Sequence, residues 1–402
     1  MSAPTLYLSA PEKHALDAGF QAAFGSIPEH YFSAPGRTEI GGNHTDHQRG
    51  RVLAAAVNLD TRAAVRVNGT NTIRILSEGY PLCTVSLDCL TPQPSEINTT
   101  PALVRGVAAR FRELGCPVSG FDAYCTSTVL PGSGLSSSAA YEVLIGTILN
   151  GLFFAGRVSQ PEIAQIGQYA ENVFFGKPCG LMDETASSVG GVVAIDFADT
   201  ERPVVERIDL DLHAAGYALC ILNSGAGHAD LTGEYAAITD ELKAVCRYFG
   251  KEVLRQVPRE QFLTALPQVR KAAGDRAVTR AFHFYGEDQR AREEAQALKA
   301  GDFDRFLQLV RESGRSSAMY LQNVIPTGQT VGQELMVTIA LCECLLEGRG
   351  AVRVHGGGFG GTAQAFVPLD MLERFKEKTE AVLGQGSCHV VTIRPEGGVR
   401  LA

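Results

Sequence analysis

The spacing of hydrophobic residues divides the first third of the chain into predicted strands and helices. Residues 52–67 and 73–76 have the apolar, β-branched character of short strands. Between 103 and 114 the apolar residues recur at helical spacing, and Gly115 ends that predicted helix. Residues 121–129 alternate with period two, which predicts a further strand leading into a Gly/Ser-rich stretch.

The segment after that stretch is apolar nearly all round. Residues 139–154 carry too few polar positions for a surface helix, so they predict a buried one. A second helix is predicted at 161–175 and a strand at 192–196. The local order is therefore strand, Gly/Ser loop and buried helix.

Helices dominate the second half of the chain. A strand at 217–222 opens this half, and we place the boundary between two domains, 1–212 and 213–402, just before it, because 402 residues are long for one core. The remaining predictions are helices at 234–249, 302–312, 330–346 and 369–383, a hairpin within 351–367, and a strand at 389–393. Strands concentrate in the first half, which predicts an α+β fold.

The composition narrows the classes of function. Hydrophobic residues make up 45% and charged residues 20%, as in ordinary globular enzymes. The net charge of -8 argues against a nucleic-acid partner, which would require a basic face. The start has no signal-peptide pattern, and no apolar run reaches the ~18 residues that a membrane helix needs. Ten cysteines without a CxxC pair indicate reduced, mostly buried thiols rather than a zinc site, so we expect a cytoplasmic protein.

Residues 130–140 read LPGSGLSSSAA and have the character of an anion-binding loop. Glycines allow backbone N–H groups to approach a phosphate, and the helix that follows offers its positive N-terminal end. One of the serine hydroxyls could also ligate a metal. The stretch is not a Walker A loop, because no GK[ST] follows. The alternative is an ordinary serine N-cap beside a flexible turn.

Residues 355–361 read HGGGFGG and formally satisfy the GxGxxG pattern. The dinucleotide fingerprint needs a strand followed by a helix, whereas here the glycines join two predicted strands. A hairpin turn is one interpretation. A backbone that lies against a ligand explains the excess of glycines better.

Residues 33–47 read SAPGRTEIGGNHTDH, and we expect them to form a glycine-rich turn. Arg37, His44 and Asp46 suit sugar and phosphate recognition, since a carboxylate accepts vicinal hydroxyls and arginine holds phosphate charge. One alternative is a metal site formed by the same His44 and Asp46 with His47. Another is a solvated polar loop.

Residues 170–188 read AENVFFGKPCGLMDETASS and contain two acids of interest. Glu171 falls late in a predicted helix, and Asp183 follows twelve residues later, beside apolar neighbours. Asp183 is a candidate base. Alternatively, it caps the helix that follows.

Taken together and in this order, these stretches resemble the motifs of the galactokinase family within the GHMP small-molecule kinases. The resemblance runs from about residue 33 to residue 367, and NSGAGHADLTGEY at 223–235 resembles the family segment whose tyrosine touches the sugar. It implies an N-terminal domain similar to the ribosomal protein S5 domain 2-like fold and a ferredoxin-like C-terminal domain. The active site is then expected in the cleft between 1–212 and 213–402.

The resemblance also implies roles for individual residues. Asp183 takes or orients the proton of the anomeric hydroxyl, and Arg37 pairs with it, lowers its pKa and stabilises the transferred phosphoryl group. Ser138 and Glu171 hold Mg²⁺. The residues expected to bind the sugar are Asn43, His44, Thr45, Asp46, Gly180 and Tyr235. Those expected to bind ATP are Ser77, Gly132, Ser133, Gly134, Leu135, Ser136, Ser137, Ser138, Gly357 and Gly358.

Residues 36–47 depart from the family pattern GRxNxIGEHTDY at several positions. Glu39 replaces Asn, Asn43 replaces Glu and His47 replaces Tyr, and the later motif reads MDE where MDQ is common. In the family the Glu at position 43 faces the hydroxymethyl end of the sugar. Its loss suggests either acceptance of a sugar altered at C6, such as galacturonate, or a retuned galactose site.

The prediction is an ATP-dependent sugar-1-kinase, with D-galactose as the expected acceptor. It takes a small sugar and ATP, has no nucleic-acid or membrane partner, and works as a monomer or weak homodimer. The alternative is a non-catalytic sensor that binds both ligands and signals to a partner. Such a sensor is expected to have a damaged catalytic loop, whereas Arg37, Asp183 and the serine run are all present.

Overall fold

A computed structural model describes residues 7–129, 134–177, 179–227 and 231–402. In that part of the chain the strands are β1 (His30–Gly41), β2 (Arg51–Val67), β3 (Thr72–Ser77), β4 (Cys83–Ser86), β5 (Phe121–Ser127), β6 (Val192–Asp196), β7 (Val204–Ile208), β8 (Tyr217–Asn223), β9 (Ala351–His355), β10 (Thr362–Pro368), β11 (Cys388–Val391) and β12 (Val399–Arg400). They form two separate sheets.

The helices of the same residues are α1 (Ala10–Phe24), α2 (Thr100–Glu113), α3 (Ser137–Phe153), α4 (Gln160–Tyr169), α5 (Met182–Val189), α6 (Thr232–Tyr248), α7 (Arg259–Thr264), α8 (Leu266–Ala273), α9 (Asp275–Lys299), α10 (Phe303–Ser316), α11 (Glu334–Leu346) and α12 (Leu372–Leu383). Two π-helical turns, Ala170–Phe175 and Ser317–Leu321, extend α4 and α10. The α+β fold class is confirmed.

The first sheet has the strand order β12-β1-β2-β5-β3-β4, with β6 also paired to β2 and β7 paired to β6. Only β3 and β5 run parallel among its pairs. The predicted buried helix α3 packs on this sheet, and its Val143, Leu144 and Ile148 share one apolar core with Phe32 and Phe121. This core holds the start of α3, and with it residues 134–136 of the predicted phosphate loop, beside β1.

The second sheet has the strand order β11-β8-β10-β9, and all of its pairs are antiparallel. Along the chain its elements run β8, α6, β9, β10, α12 and β11, which is the β-α-β-β-α-β arrangement of a ferredoxin-like domain. Helices α7 to α11 are inserted between α6 and β9. The expected ferredoxin-like C-terminal part is thus present, enlarged by a helical insertion.

The chain passes from the first sheet to the second between Ile208, where β7 ends, and Tyr217, where β8 begins. The proposed boundary at 212 falls in this interval. The last strand, β12, returns to the first sheet and pairs with β1 through Phe32 and Arg400. A division at 212 therefore leaves the C-terminal strand in the sheet of the N-terminal part.

Several local predictions are wrong. The glycine-rich turn expected at 33–47 is largely strand, because β1 continues to Gly41 and the loop begins only at Gly42. The short strands expected at 52–67 are one continuous strand, β2. Helix α9 was not predicted, because its buried positions include Arg280, His283 and Glu287, which hide the apolar periodicity.

Two expectations from composition can be compared with the structure. All ten cysteines are free thiols, and most of them are buried. Among the described residues, no helix combines the length and the hydrophobicity that crossing a membrane requires.

Candidate active site

Arg37 and Asp183 form an ion pair at the centre of the site. Arg37 lies in β1, and Asp183 is the second residue of α5. Arg37 Nε donates to Asp183 Oδ1 at 2.7 Å, and Nη2 donates to Oδ2 at 2.6 Å. Such a bidentate pair fixes both the distance and the orientation of the two groups. Asp183 is not the N-cap of α5, since Leu181 occupies that position.

The pair holds Asp183 in its ionised form. Burial alone would raise the pKa of Asp183, but the charge of Arg37, its hydrogen bonds and a hydrogen bond from Ser136 outweigh burial and lower it. The expectation that Arg37 lowers this pKa is confirmed. The Asp183 side chain remains 30% exposed, against 9% for Arg37, so the carboxylate is the partner that a ligand can reach.

The predicted phosphate loop lies against Arg37. Arg37 Nη1 donates to the Gly134 carbonyl, and the Arg37 backbone N–H donates to the Leu135 carbonyl at 2.9 Å. Gly134 has a φ of +71°, and a Cβ there would lie 3.0 Å from His355 Nδ1. Both the backbone angle and this close approach favour glycine. The loop is therefore tied to β1 on one side and to the end of β9 on the other.

The serines follow at the start of α3. Ser136 has a left-handed backbone with a φ of +54°, next to Asp183. Ser137 is exposed and Ser138 is half-buried in the first turn of this 17-residue helix, where backbone N–H groups are free to meet an anion. Ser77 lies elsewhere, at the end of β3, and hydrogen-bonds Cys125. The predicted ATP contacts Gly132 and Ser133 lie outside the described residues.

A group of metal-ligating side chains lies beside Asp183. Glu171 is 4% exposed, and Lys177 Nζ lies 3.3 Å from its Oε1. One ligand atom each from Glu171, Cys179 and Glu184 lies within 4.8 Å of the others. Lys177 thus supplies a positive charge next to Glu171.

Two further acids extend the pocket inward. Glu142 and Glu184 are each 1% exposed, and a Cβ on Gly167 would lie 3.2 Å from Glu142 Oε2 and from Glu184 Cγ. Neither oxygen of Glu142 has a hydrogen-bond partner among the described residues, and Glu184 Oε2 has none either. Burial, reinforced by neighbouring carboxylates, raises the pKa of both acids well above the usual range for Glu.

The loop after β1 meets the glycine-rich hairpin between β9 and β10. His44 Nε2 donates to the Gly357 carbonyl at 2.9 Å, and the Tyr235 hydroxyl donates to the Gly358 carbonyl at 3.1 Å. A Cβ on Gly357 would lie 2.6 Å from Tyr235 Cε1. These glycines are therefore required by contacts within the protein, and the hairpin interpretation of HGGGFGG is confirmed.

Asp46 faces the segment that carries Asp183. A Cβ on Gly180 would collide with Asp46 Oδ2, so glycine is needed where these two loops touch. His44 and His47 stack edge to face with ring centroids 5.7 Å apart. Among the described residues they form no metal-ligating group with Asp46. The alternative of a metal site in this loop therefore finds no support.

The side chains of Asn43 and Thr45 are enclosed by the protein. Asn43 is 1% exposed and Thr45 is fully buried. Thr45 Oγ1 lies 2.9 Å from the Gly42 carbonyl and 2.5 Å from the Arg51 carbonyl, either of which can accept its single proton. The expected contacts of these two side chains with the sugar stay predictions.

Comparison with known proteins identifies this arrangement. The galactokinase galactose-binding signature matches residues 18–67, and the N-terminal domain of the GHMP kinases matches residues 102–191. A galactokinase from Glaesserella parasuis is 32% identical over 369 residues, which cover 89% of this chain and 90% of the relative. The chain belongs to the galactokinase family.

Other members show similarity over almost the whole length. A galactokinase from Streptomyces coelicolor is 30% identical over 384 residues, covering 95% of this chain and 96% of the relative. The crystal structure of Lactococcus lactis galactokinase complexed with galactose superposes with a TM-score of 0.81 at 26% identity, over 96% of this chain and 99% of that one. Methanococcus jannaschii mevalonate kinase shares the fold, with a TM-score of 0.65 at 13% identity over 91% of this chain and 98% of that one.

Sequence reasoning missed several residues of the site. Glu142 and Lys177 border the pocket of Glu171, and neither stands out in its segment of the sequence. Asn323 lies against the glycine-rich hairpin, where its Nδ2 donates to the Gly357 carbonyl at 3.1 Å, and no motif marks it in the sequence. Glu184 had a signal, since it is the acid of MDE in place of the common MDQ.

Proposed function

We propose that this member of the galactokinase family transfers the γ-phosphoryl group of ATP to the anomeric hydroxyl of D-galactose. The observation that carries the proposal is the bidentate Arg37–Asp183 pair, which is hydrogen-bonded to the loop carbonyl of Gly134. This arrangement sets a carboxylate and a guanidinium together beside a helix N-terminus that suits phosphate. The galactose-bound Lactococcus lactis relative supports galactose as the acceptor.

Asp183 orients the attacking hydroxyl and accepts its proton as the reaction proceeds. The hydroxyl oxygen forms a bond to the γ-phosphorus while the bond between that phosphorus and the β,γ-bridging oxygen breaks, which yields galactose 1-phosphate and ADP. A lowered pKa keeps Asp183 ionised but makes it a weak base, so alignment contributes more than proton abstraction. Arg37 supplies positive charge to the transferred group.

The residues present fit a divalent cation such as Mg²⁺. Glu171 and Glu184 bring carboxyl oxygens together beside Asp183, and Glu142 adds a third acid, which suits a cation that prefers oxygen ligands. Ser138 and Glu171 would hold the ion, which neutralises phosphate charge when it is bound. Gly357 and Gly358 would border the ATP and sugar sites from the opposite side.

We further propose that the protein works in the cytoplasm as a monomer or weak homodimer. Its ten free cysteines suit a reducing compartment, and its net charge of -8 suits a protein that remains dispersed in solution. Sedimentation velocity of the purified protein measures the oligomeric state.

The test is ADP release from Mg-ATP with galactose, galacturonate, N-acetylgalactosamine, glucose and L-arabinose as acceptors. We expect galactose to be turned over fastest, and Asp183→Asn to lower kcat by about 10²- to 10⁴-fold, the range for loss of a general acid–base group. The matched control is Asp275→Asn, which removes an exposed carboxylate paired with Arg270 and should leave kcat unchanged.

The panel also separates the competing interpretations. Faster turnover of galacturonate would identify a kinase for a C6-altered sugar with the same catalytic pair. If galactose and ATP both bound by calorimetry while no acceptor released ADP above the Asp183→Asn level, the sensor interpretation would replace the kinase.

A further inference from the structure

The Asn43 carboxamide has no hydrogen-bonding position left for a ligand. Its Nδ2 donates to Glu39 Oε1 at 3.0 Å and to the Gly356 carbonyl at 2.8 Å. Its Oδ1 accepts from Asn323 Nδ2 at 2.9 Å and from Ser317 Oγ at 3.2 Å. A carboxamide has two N–H donors and two lone pairs, so all four positions are occupied by the protein.

The backbone of Asn43 is held as firmly as its side chain. His283 Nε2 donates to the Asn43 carbonyl at 2.9 Å, and the Asn43 N–H donates to Glu287 Oε1 at 3.3 Å. Both partners come from α9. Burial lowers the pKa of His283 to about 4, so this ring is neutral at physiological pH. Reorienting Asn43 towards the opening would leave several buried polar groups unpaired.

Asn323 joins the two loops from the other side. Besides its bond to Asn43, its Nδ2 donates to the Gly357 carbonyl at 3.1 Å, and its carbonyl accepts from the Phe359 N–H at 2.5 Å. Gly358 lacks a Cβ that would collide with the Asn323 carbonyl. Asn323, which follows the extension of α10, therefore contacts both the loop after β1 and the hairpin of residues 356–361.

The exchange of residues at positions 39 and 43 moves a charge away from the loop. The family pattern has Asn then Glu, whereas this chain has Glu39 then Asn43, and here the Asn43 amide donates to the Glu39 carboxylate. The carboxylate now lies in β1, where Arg353 Nη2 contacts Glu39 Oε1 at 2.7 Å. Arg353 is fully buried and also donates to the Ile40 carbonyl. Position 43 itself therefore carries no charge.

We propose that Asn43 and Asn323 are positioning residues, a pair of amides that sets the spacing between the loop of residues 42–46 and the hairpin of residues 356–361. The hairpin reaches the phosphate loop through His355, whose ring Nδ1 would lie 3.0 Å from a Cβ on Gly134. Loss of the pair should therefore disturb ATP binding as well as sugar binding. This inference rests on the proposed kinase activity, and it replaces a sugar contact by Asn43 with an indirect role.

The test compares Asn43→Ala, Asn323→Ala and the double variant by steady-state kinetics with galactose and ATP. We expect each single variant to raise the KM for both substrates, by about tenfold if one net hydrogen bond is lost. The KM values of the double variant should be no higher than those of the more impaired single variant, because either change breaks the same pair. The matched control is Asn150→Ala, whose buried amide bonds Val158 at 2.9 and 3.1 Å far along α3. It should lower the unfolding temperature and leave both KM values unchanged.

Two results would overturn the proposal. One is an Asn43→Ala variant that raises the KM for galactose but not for ATP, with an effect that adds to the effect of Asn323→Ala in the double variant. That combination would indicate a direct sugar contact by Asn43. The other is a folded set of variants with wild-type KM values. If Asn43→Ala failed to fold, the KM for ATP would be measured with Asn323→Ala and Ser317→Ala. The proposal requires this KM to rise in both variants. An inactive wild-type protein would refute the proposed function instead, and galactose and ATP affinities from calorimetry would then test the pair.

Discussion

At the scale of single residues, Arg37 links the catalytic carboxylate to the phosphate loop. It is 8% exposed, pairs with both oxygens of Asp183, and also donates to the carbonyls of Gly134 and Leu135. A guanidinium presents its donors in a rigid planar fork, so one side chain can hold these groups at fixed distances. The acid and the loop are thereby positioned together before substrate binds, which is the main requirement of phosphoryl transfer.

Lys177 differs from Arg37 in its exposure. Its side chain is 62% exposed, whereas that of its partner Glu171 is 5% exposed. We predict that Lys177 competes with a divalent ion for Glu171. Lys177→Met should therefore lower the Mn²⁺ concentration for half-maximal binding by up to about fivefold, the range for an exposed ion pair. Titration of Mn²⁺ into the protein, followed by the EPR signal of the free ion, measures this.

The matched control for that titration is Lys299→Met, which removes an exposed lysine paired with Glu206 away from the site. It should leave Mn²⁺ binding unchanged. Weaker Mn²⁺ binding by Lys177→Met would contradict competition and indicate that the lysine supports the ion pocket.

At the scale of elements, α9 carries a buried acid that must remain protonated. Glu294 is fully buried against Gly41, where a Cβ would collide with its carboxyl group. Neither of its oxygens has a hydrogen-bond partner among the described residues. Burial raises the pKa of Glu294 well above its usual value, and the charge of Glu287 adds to the effect.

The folded protein therefore binds one more proton at Glu294 than the unfolded chain does above the ordinary Glu pKa. The free energy of unfolding therefore falls as the pH rises between the ordinary Glu pKa and the raised pKa of Glu294, by at most about 1.4 kcal/mol per pH unit for one proton. We predict that Glu294→Gln is more stable than the wild type at neutral pH and that the difference disappears near pH 4. Urea unfolding between pH 4 and pH 8 measures it.

The control for this experiment is Glu377→Gln, an exposed glutamate of α12. Its unfolding free energy should follow the wild-type pH dependence. A Glu294→Gln variant whose difference from wild type stays constant across the pH range would show that the acid is ionised in the folded protein.

Elements with regular patterns could be predicted from the sequence, and those with buried polar residues could not. α3 was recognisable because it is apolar nearly all round, and the β9–β10 hairpin because a glycine-rich stretch joins two apolar runs. β1 was not, since its buried positions include Ser33, Arg37 and Glu39, and α9 failed for the same reason. A buried charge is stabilised by a partner distant in the chain, such as Arg353 for Glu39, which no local pattern reveals.

The same limit applies to the site. The Arg37–Asp183 pair was expected from the resemblance to the galactokinase motifs, and the structure brings those two residues together. The inward orientation of Asn43 was not expected, because it depends on Asn323 and Ser317, far away in the sequence. Motifs thus identified which residues gather at the site, but not which way each side chain faces.

At the scale of the whole molecule, the site is assembled where the two sheets meet. Arg37, Asp183 and Ser136 belong to the part built on the first sheet, while Tyr235 and Gly358 belong to the part built on the second. The loop of residues 42–46 and the hairpin of residues 356–361 join these parts directly. Neither part alone carries both the catalytic pair and the groups opposite it, so activity requires the intact chain.

The most direct test of this account is ³¹P NMR of the reaction of wild-type protein with Mg-ATP and D-galactose. We predict a sugar phosphate whose phosphorus couples to the anomeric proton, appearing together with ADP, and its absence with Asp183→Asn. A phosphate attached to any other hydroxyl, or ADP accompanied only by inorganic phosphate, would contradict the proposed transfer to the anomeric oxygen.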